Sequence, residues 1–362
     1  MSITILGFIG HRLASETIPP TGPIFDKDYI AAFARAQEEG GFDRLLIAYA
    51  TDQPDGFIVA AQAAFATKRI QLLVAHRPGF VAPTLAARKF ASLEHLTGGR
   101  LGINIISGGS DADQRKDGDF LSHDERYART DEFLDVLKKT WTSETPFNYH
   151  GKYYQVEDAY SAIRPQQKPH LPVYFGGFSA AAKRVAGKHA DVFMFWGEPL
   201  ADAAQTVAEL KAEAQKHGRD IDFSISFRPI LGRTEDEAWA KAETIRAQVR
   251  AVLNETSDDF LHANQAVGAA RLREFVKRGD RLDERFWTGV ADLVGGTRNS
   301  TALVGTPEQV AEAIVKYYAL GIGQVLIRGF DPLNDAIEYG RELLPLIRAK
   351  AAEHDRLQTH AA

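Results

Sequence analysis

The sequence predicts an α/β fold, a (β/α)8 TIM barrel with insertions, on three observations. Short apolar runs recur eight times along 362 residues. Most are separated by a stretch of helical periodicity, and each stops at a polar or aromatic residue. Parallel strands need crossover connections, and right-handed βαβ units repeated eight times close a barrel. The C-terminal strand ends of that fold form one active-site face. The runs are 3–9 ending near His11, 45–48 at Tyr49, 70–75 at His76-Arg77 and 101–106 at Ser107. They continue with 173–175 at Gly176-Gly177, 192–195 at Trp196, 223–227 at Arg228 and 324–327 at Arg328.

Between the runs, 26–39 reads as a helix with Tyr29, Ile30, Phe33 and Ala36 on one face, stopped by Gly40-Gly41. A second, 85–96, ends at Gly98-Gly99. Ser122 with Glu125 forms a capping box that opens a long helix through Phe133, Val136 and Leu137. Thr306-Pro307-Glu308-Gln309 is another helix start, with Thr as cap and Pro at the first helical position. Three segments exceed a minimal barrel. They are a Gly/Asp-rich loop at about 108–121, an aromatic hairpin at about 146–159 turning at His150-Gly151, and a long stretch, 253–300, expected to act as a lid. The whole is read as one domain over 1–349, followed by a polar tail, 350–362, expected to fray.

Composition narrows the function. A net charge of −5 argues against a nucleic-acid partner, and the absence of Cys excludes disulfides, thiolate catalysis and Cys-based metal sites. No apolar run reaches membrane-span length, and 1–4 lacks a signal-peptide pattern, so a cytoplasmic protein is expected. No metal site is expected: His123-Asp124-Glu125 is explained by helix capping, and no G-x-S-x-G hydrolase elbow is present.

The chemistry-bearing residues sit at the strand ends. His11 can donate, accept or carry charge near neutral pH, or simply satisfy a loop carbonyl. His76 and Arg77 end the third run, where Pro78 fixes the chain's exit. Asn104, facing the barrel interior, would be a buried amide that either meets a planar heteroaromatic ring or is satisfied by backbone. Ser107 follows it. Gly176-Gly177-Phe178-Ser179 leads into a helix, so free N–H groups, a hydroxyl and the helix dipole face one point suited to a phosphate. It completes neither a G-x-G-x-x-G nor a Walker pattern. Trp196 either walls off a reactive intermediate or plugs the barrel top. Arg228, Arg298 and Arg328 form a guanidinium set suited to a sulfonate, phosphate or carboxylate.

Several of these segments resemble the FMNH2-dependent alkanesulfonate monooxygenases, a branch of the bacterial luciferase-like flavoenzymes. The matching stretches are 72–78, Pro83–Arg88, 96–100, Phe120–Tyr127, Tyr174-Phe175-Gly176-Gly177, Trp196-Gly197-Glu198-Pro199 and Thr301–Gly305. The resemblance implies a two-component monooxygenase of a small anionic organosulfur compound, which it would split into sulfite and a carbonyl product. A separate NAD(P)H-dependent reductase would deliver reduced FMN, O2 would be co-substrate, and the protein would be a homodimer or homotetramer. It implies that Tyr127 and Ser179 hold the FMN phosphate, with His76, Asn104, Ser107, Gly176 and Gly177 completing the cofactor set. It further implies that His11, Trp196 and Arg298 lie in or near the substrate region. Tyr49, Gln53, Ser226, Arg328 and Phe330 are assigned to substrate. The family's seventh strand presents Arg-x-His, whereas this chain reads Ser226-Phe227-Arg228. A tyrosine after the eighth strand is replaced by Phe330, a cysteine after the second by Gln53, and the 295–300 loop is one residue longer. Arg228, two residues along on the same strand face, is expected to restore the anion contact and act in catalysis. The alternatives are hydride transfer with a deazaflavin and a flavin-binding protein whose catalytic set has decayed.

Overall fold

The computed structural model describes residues 3–255, 266–296 and 300–361. In chain order the elements are β1 (Thr4–Ile9), α1 (Lys27–Glu39), β2 (Arg44–Ile47), α2 (Gly56–Ala66), β3 (Gln71–His76), α3 (Pro83–Thr97), β4 (Leu101–Ile105), α4 (Asp111–Lys116) and α5 (His123–Thr142). A hairpin, β5 (Phe147–His150) with β6 (Gln155–Ala159), precedes β7 (Val173–Gly176), α6 (Ala180–His189), β8 (Val192–Trp196), α7 (Leu200–Gln215), β9 (Asp222–Leu231) and α8 (Glu235–Glu255). Then come α9 (Val267–Arg278), β10 (Arg281–Leu282), β11 (Phe286–Trp287), α10 (Gly289–Leu293), β12 (Ala302–Gly305) and α11 (Pro307–Ala319). The chain closes with β13 (Gln324–Ile327), α12 (Pro332–Glu338), one π turn (Tyr339–Leu343) and α13 (Leu344–Ala361).

Eight strands, β1-β2-β3-β4-β7-β8-β9-β13, pair in parallel, and the β13–β1 and β8–β9 pairings close the barrel. Side chains alternate across each strand. Leu6, Leu73, Tyr174, Val192 and Leu326 therefore fill the interior as one small apolar cluster. Their strand neighbours on the opposite face (Ile5, Leu72, Val74, Ile103, Phe175 and Phe193 among them) form the larger core under the helices. The lower interior is polar but matched: Arg44 lies 4.8 Å over the Tyr174 ring, whose hydroxyl donates to Gln324 Oε1 at 2.8 Å. Gln324 in turn donates to Asp222 at 3.0 Å. These side chains fill the middle of the barrel and separate its lower end from the C-terminal mouth, where the active site of this fold is built.

Both sequence-expected caps form. Ser122 N–H donates to Glu125 and Gln309 N–H to Thr306 Oγ1, with Pro307 opening α11. The aromatic hairpin is present, and the 108–121 loop carries the short α4, capped by Ser110.

Three expectations change. β9 does not stop at Phe227: it runs ten residues, and its second half leaves the barrel to pair in parallel with β12 through Arg228–Leu231. Much of the 253–300 stretch is more than a lid, because β10, β11 and β12 extend this sheet and bury Trp287 and Val304 with Ile230 and Phe330 in a second core. The stretch after Ala349 continues α13 instead of fraying, since Ala351 is buried and Tyr318 donates its hydroxyl to Asp355 at 2.9 Å. Among the described residues, no helix is long and apolar enough to cross a membrane.

Candidate active site

One side of the mouth gathers four expected residues from four elements. Ser107 follows β4, Tyr127 lies in the first turns of α5, Gly177 follows β7, and Ser179 caps α6. The Ser107 and Ser179 hydroxyls converge on the Tyr127 phenol, and Ser107 Oγ lies 3.2 Å from Thr130 Oγ1. Burial pushes the phenol up to about 12, against smaller opposing effects of Arg126, Ser107 and Ser179. Tyr127 therefore stays a neutral O–H donor at neutral pH. Gly177 sits at φ 144°, and a Cβ there would come within 2.5 Å of the Tyr127 oxygen and 2.8 Å of the Ala182 Cβ. Only glycine lets the backbone come this near the phenol. The Ser179 side chain accepts from Ala182 N–H at 3.1 Å, so the α6 N-terminus points its dipole at the same spot. Three hydroxyls, a glycine turn and a helix N-terminus suit a phosphate group.

Deeper in the mouth, Asn104 faces the interior on β4, in register with Ala75 and Tyr174. Its Oδ1 is buried and has no hydrogen-bond partner. A backbone-satisfied core amide, the alternative weighed from sequence, does not describe it. A ligand ring with N–H groups would complete it.

His76, expected to touch cofactor, faces the other way. It is one residue past the inward Ala75, so alternation turns it toward the helices. There its ring packs 5.4 Å from both Phe90 and Phe133, with Phe57 at 6.5 Å. Burial, helped by Lys89, pushes the imidazole down to about 3, so it stays neutral. Its companion Arg77 is held by Asp113 at 2.6 Å and covers the Tyr49 ring at 4.7 Å, while Tyr49 donates to Asp117 at 3.1 Å. Tyr49 thus belongs to a polar wall that docks α4 against the mouth. His11 and Gln53 do come together: one imidazole nitrogen of His11 meets Gln53 Oε1 and the other meets the carbonyl of Ile24.

The third group overturns the expected role of Arg228. Because β9 continues past it, Arg228 is mid-strand and 0% exposed. Its Nη1 lies 2.8 Å from Glu16, its Nη2 donates to the Gly329 carbonyl at 2.7 Å, and its guanidinium stacks 3.8 Å over Phe330. Phe330, assigned to substrate from sequence, lies instead in the second core beneath this arginine, 2% exposed. Arg328 does point into the mouth, in line with the interior Leu326. It stacks over Phe8 at 4.9 Å and pairs with the same Glu16 at 3.1 Å. Burial alone would push the Glu16 carboxyl up, but Arg228 and Arg328 outweigh it and hold it at about 2. Glu16 escapes sequence reasoning because it lies in a long polar loop with no periodicity. Its only signal is a carboxylate shortly after a strand end. Ser226 faces the interior, and its hydroxyl donates to the Phe195 carbonyl at 3.3 Å.

Trp196, half-buried at the end of β8, lies 3.8 Å from where a side chain on Gly268 would begin, so α9 covers it. Two residues on, Glu198 is 1% exposed and receives both arms of Arg271 from α9, at 2.7 and 2.8 Å. Arg271 also lies 4.7 Å over Phe178. Glu198 thus anchors the inserted helix to the mouth, a second residue missed from sequence. Arg298 lies outside the described residues. Among them, Asp131, Asp135 and His189 have metal-ligand spacing, but Lys188 Nζ sits between the two carboxylates at 2.7 and 2.9 Å.

Comparisons with known proteins agree on one architecture. A family model described as luciferase-like monooxygenase matches residues 1–324. Among solved structures, riboflavin lyase (RcaE) superposes with a TM-score of 0.79 at 21% identity, covering 97% of this chain and 92% of that one. The EDTA monooxygenase EmoA from Chelativorans sp. BNC1 gives 0.78 at 23% identity, with 97% and 94% covered. A long-chain alkane monooxygenase (LadA) gives 0.78 at 19%, with 97% and 92% covered. At these identities the solved structures establish the fold alone.

Proposed function

The chain belongs to the luciferase-like monooxygenase family, and from that premise we propose that it is the oxygenase of a two-component system. It would take reduced FMN from a separate NAD(P)H-dependent reductase and use O2 to oxygenate a small organic molecule. The observation that carries this reading is the hydroxyl cradle of Ser107, Tyr127 and Ser179 around Gly177. Bound reduced flavin would supply the electrons that activate O2.

The protein's own residues would do the rest. The neutral Tyr127 phenol and the two serine hydroxyls donate to the phosphate, and the α6 dipole adds to its binding. Asn104 presents an unpaired carbonyl to the ring system. Trp196, covered by α9, excludes water from one wall of the mouth. His11, poised between Gln53 and a backbone carbonyl, is the group placed to hold or move a proton at its imidazole nitrogens. The sulfonate implied by resemblance is not carried into this proposal, because Arg228, which was to receive it, is fully buried.

The test is equilibrium binding of photoreduced FMN under anaerobic conditions, followed by admission of O2. We expect saturable binding and rapid flavin reoxidation. We also expect the Ser107→Ala/Ser179→Ala double variant to bind at least about tenfold more weakly, as loss of hydrogen bonds to a charged group requires. Unchanged affinity in that variant would remove the phosphate assignment. Binding with no reaction toward O2 would favour hydride transfer instead.

A further inference from the structure

We propose that Glu16 determines substrate charge: by pairing with Arg228 and Arg328 it makes the mouth select an uncharged organic substrate and reject sulfonates. The inference rests on the oxygenase reading for the reaction, and on the ion pairs of Glu16 for the charge preference.

The arginines that close the third and eighth barrel strands and the one buried on β9 are each engaged by a carboxylate of the protein. Arg228 lies at 2.8 Å and Arg328 at 3.1 Å from Glu16, and Arg77 at 2.6 Å from Asp113. Glu16 alone would leave one positive charge on the Arg228–Arg328 pair. Asp26 and Asp331 supply more negative charge, since both act with Arg328 on the Tyr29 phenol. On the opposite wall Asp117 stands 4.0 Å from Arg77, beside Asp113. Arg77 thus stands beside two carboxylates, and Arg228 and Arg328 share a third, with Asp26 and Asp331 acting on the same phenol as Arg328. A sulfonate drawn to these arginines competes with the carboxylates already on them, and displacing one re-exposes a charge to a low-dielectric site. Arg228 is further closed off by Phe330 on its face and the Gly329 carbonyl on its second arm. A neutral molecule meets no such cost. Phe8 and Trp196 offer it apolar surface.

Matched ligands isolate the charge. Alkanesulfonates and the corresponding methyl alkyl sulfones differ by replacement of one anionic oxygen with a methyl group. Their binding to the full chain, with and without oxidised FMN, is followed by calorimetry. The wild type is expected to bind sulfones at least about tenfold more tightly than sulfonates, and Glu16→Gln to gain at least about tenfold in sulfonate affinity by freeing the charge of Arg328. Glu16→Gln leaves Arg228 buried without a carboxylate, so a second variant, Glu16→Leu/Arg228→Leu, replaces that pair with apolar groups and takes the Glu16 charge away from Arg328. It should show the same gain. The proposal is overturned if the wild type binds sulfonates as tightly as sulfones. It is equally overturned if the variants fold, as judged by circular dichroism, without gaining sulfonate affinity, whether or not the wild type binds either ligand. Loss of the oxygenase reading would show separately, as absence of flavin binding in the wild type.

Discussion

Replacing Glu16 with Gln should destabilise the cofactor-free protein by an amount that shrinks as the solution is acidified. The Glu16 carboxyl falls from 4.5 to about 2 on folding, with its side chain 4% exposed. That fall, at about 1.36 kcal/mol for each tenfold change in acidity, corresponds to about 3 kcal/mol of stability at neutral pH. The range agrees with the roughly 3–5 kcal/mol lost when one partner of a buried ion pair is removed. Because the folded carboxyl is the stronger acid, this stability is fully present above the unfolded value of 4.5 and is lost as pH falls through the folded value of about 2. About 2 kcal/mol of it should disappear between about pH 7 and about pH 3, and the rest below that.

The assay is urea unfolding of wild type and Glu16→Gln at a series of pH values, with the wild-type minus variant difference as the readout. Other titrating carboxylates are common to both proteins and cancel. A difference that stays constant from about pH 7 to about pH 3 would refute the assigned cause. So would a variant as stable as the wild type at neutral pH, because Arg228 and Arg328 would then not be stabilised by this carboxylate.

Gly177→Ala should abolish or strongly weaken FMN binding, since the new Cβ is forced to φ 144° and within 2.5 Å of the Tyr127 oxygen; the same variant with Tyr127→Phe added should recover little, because the backbone strain of about 1–2 kcal/mol remains. His76→Leu should leave FMN affinity unchanged and stability level or raised, as the imidazole brings a buried unpartnered Nε2 into an aromatic pocket; a large loss of flavin binding in a titration would return His76 to the cofactor site. Arg271→Ala should free α9, raising amide hydrogen exchange over 267–278, and cost roughly 3–5 kcal/mol if the buried Glu198 carboxylate is left charged; exchange unchanged in that segment would show that Gly268 and its neighbours hold the helix without the ion pair.

Much of the fold was legible because barrel strands announce themselves locally. A run of apolar residues, a polar stop and a capped helix all fall within a few positions, as at Thr306–Gln309. The turn into α6 was legible for the same reason: Gly176, Gly177 and Ser179 are consecutive or nearly so, and the turn and cap they make are short-range. His76 was misplaced by one step of the period-two rule. A histidine at a strand end looks like a mouth residue, but Ala75 takes the inward position and His76 the outward one. The polar 350–362 stretch concealed a helix because one buried face, marked by Ala351, is enough to dock it.

The substrate side resisted sequence reading because its determinants are long-range. Pro229 looks like the end of a strand, since it cannot donate to a ladder. Yet β9 continues through it, because on that strand Pro229 is in register with Leu303 of β12, far along the chain. That extension carries Arg228 out of the mouth and under Phe330. Once buried there, the guanidinium requires a carboxylate, which comes from a loop following the first strand. The same carboxylate then reaches Arg328 across a separation of 312 residues. Each partner alone reads as an ordinary surface charge, and only the closed barrel, which sets its first strand beside its last, brings them within 3.1 Å. The Gly177–Ser179 turn of this mouth is built from a motif that a short window contains, whereas the Glu16 ion pairs are built by ring closure. On the proposed reading, substitutions at Glu16 would change charge selectivity without touching the residues around Gly177.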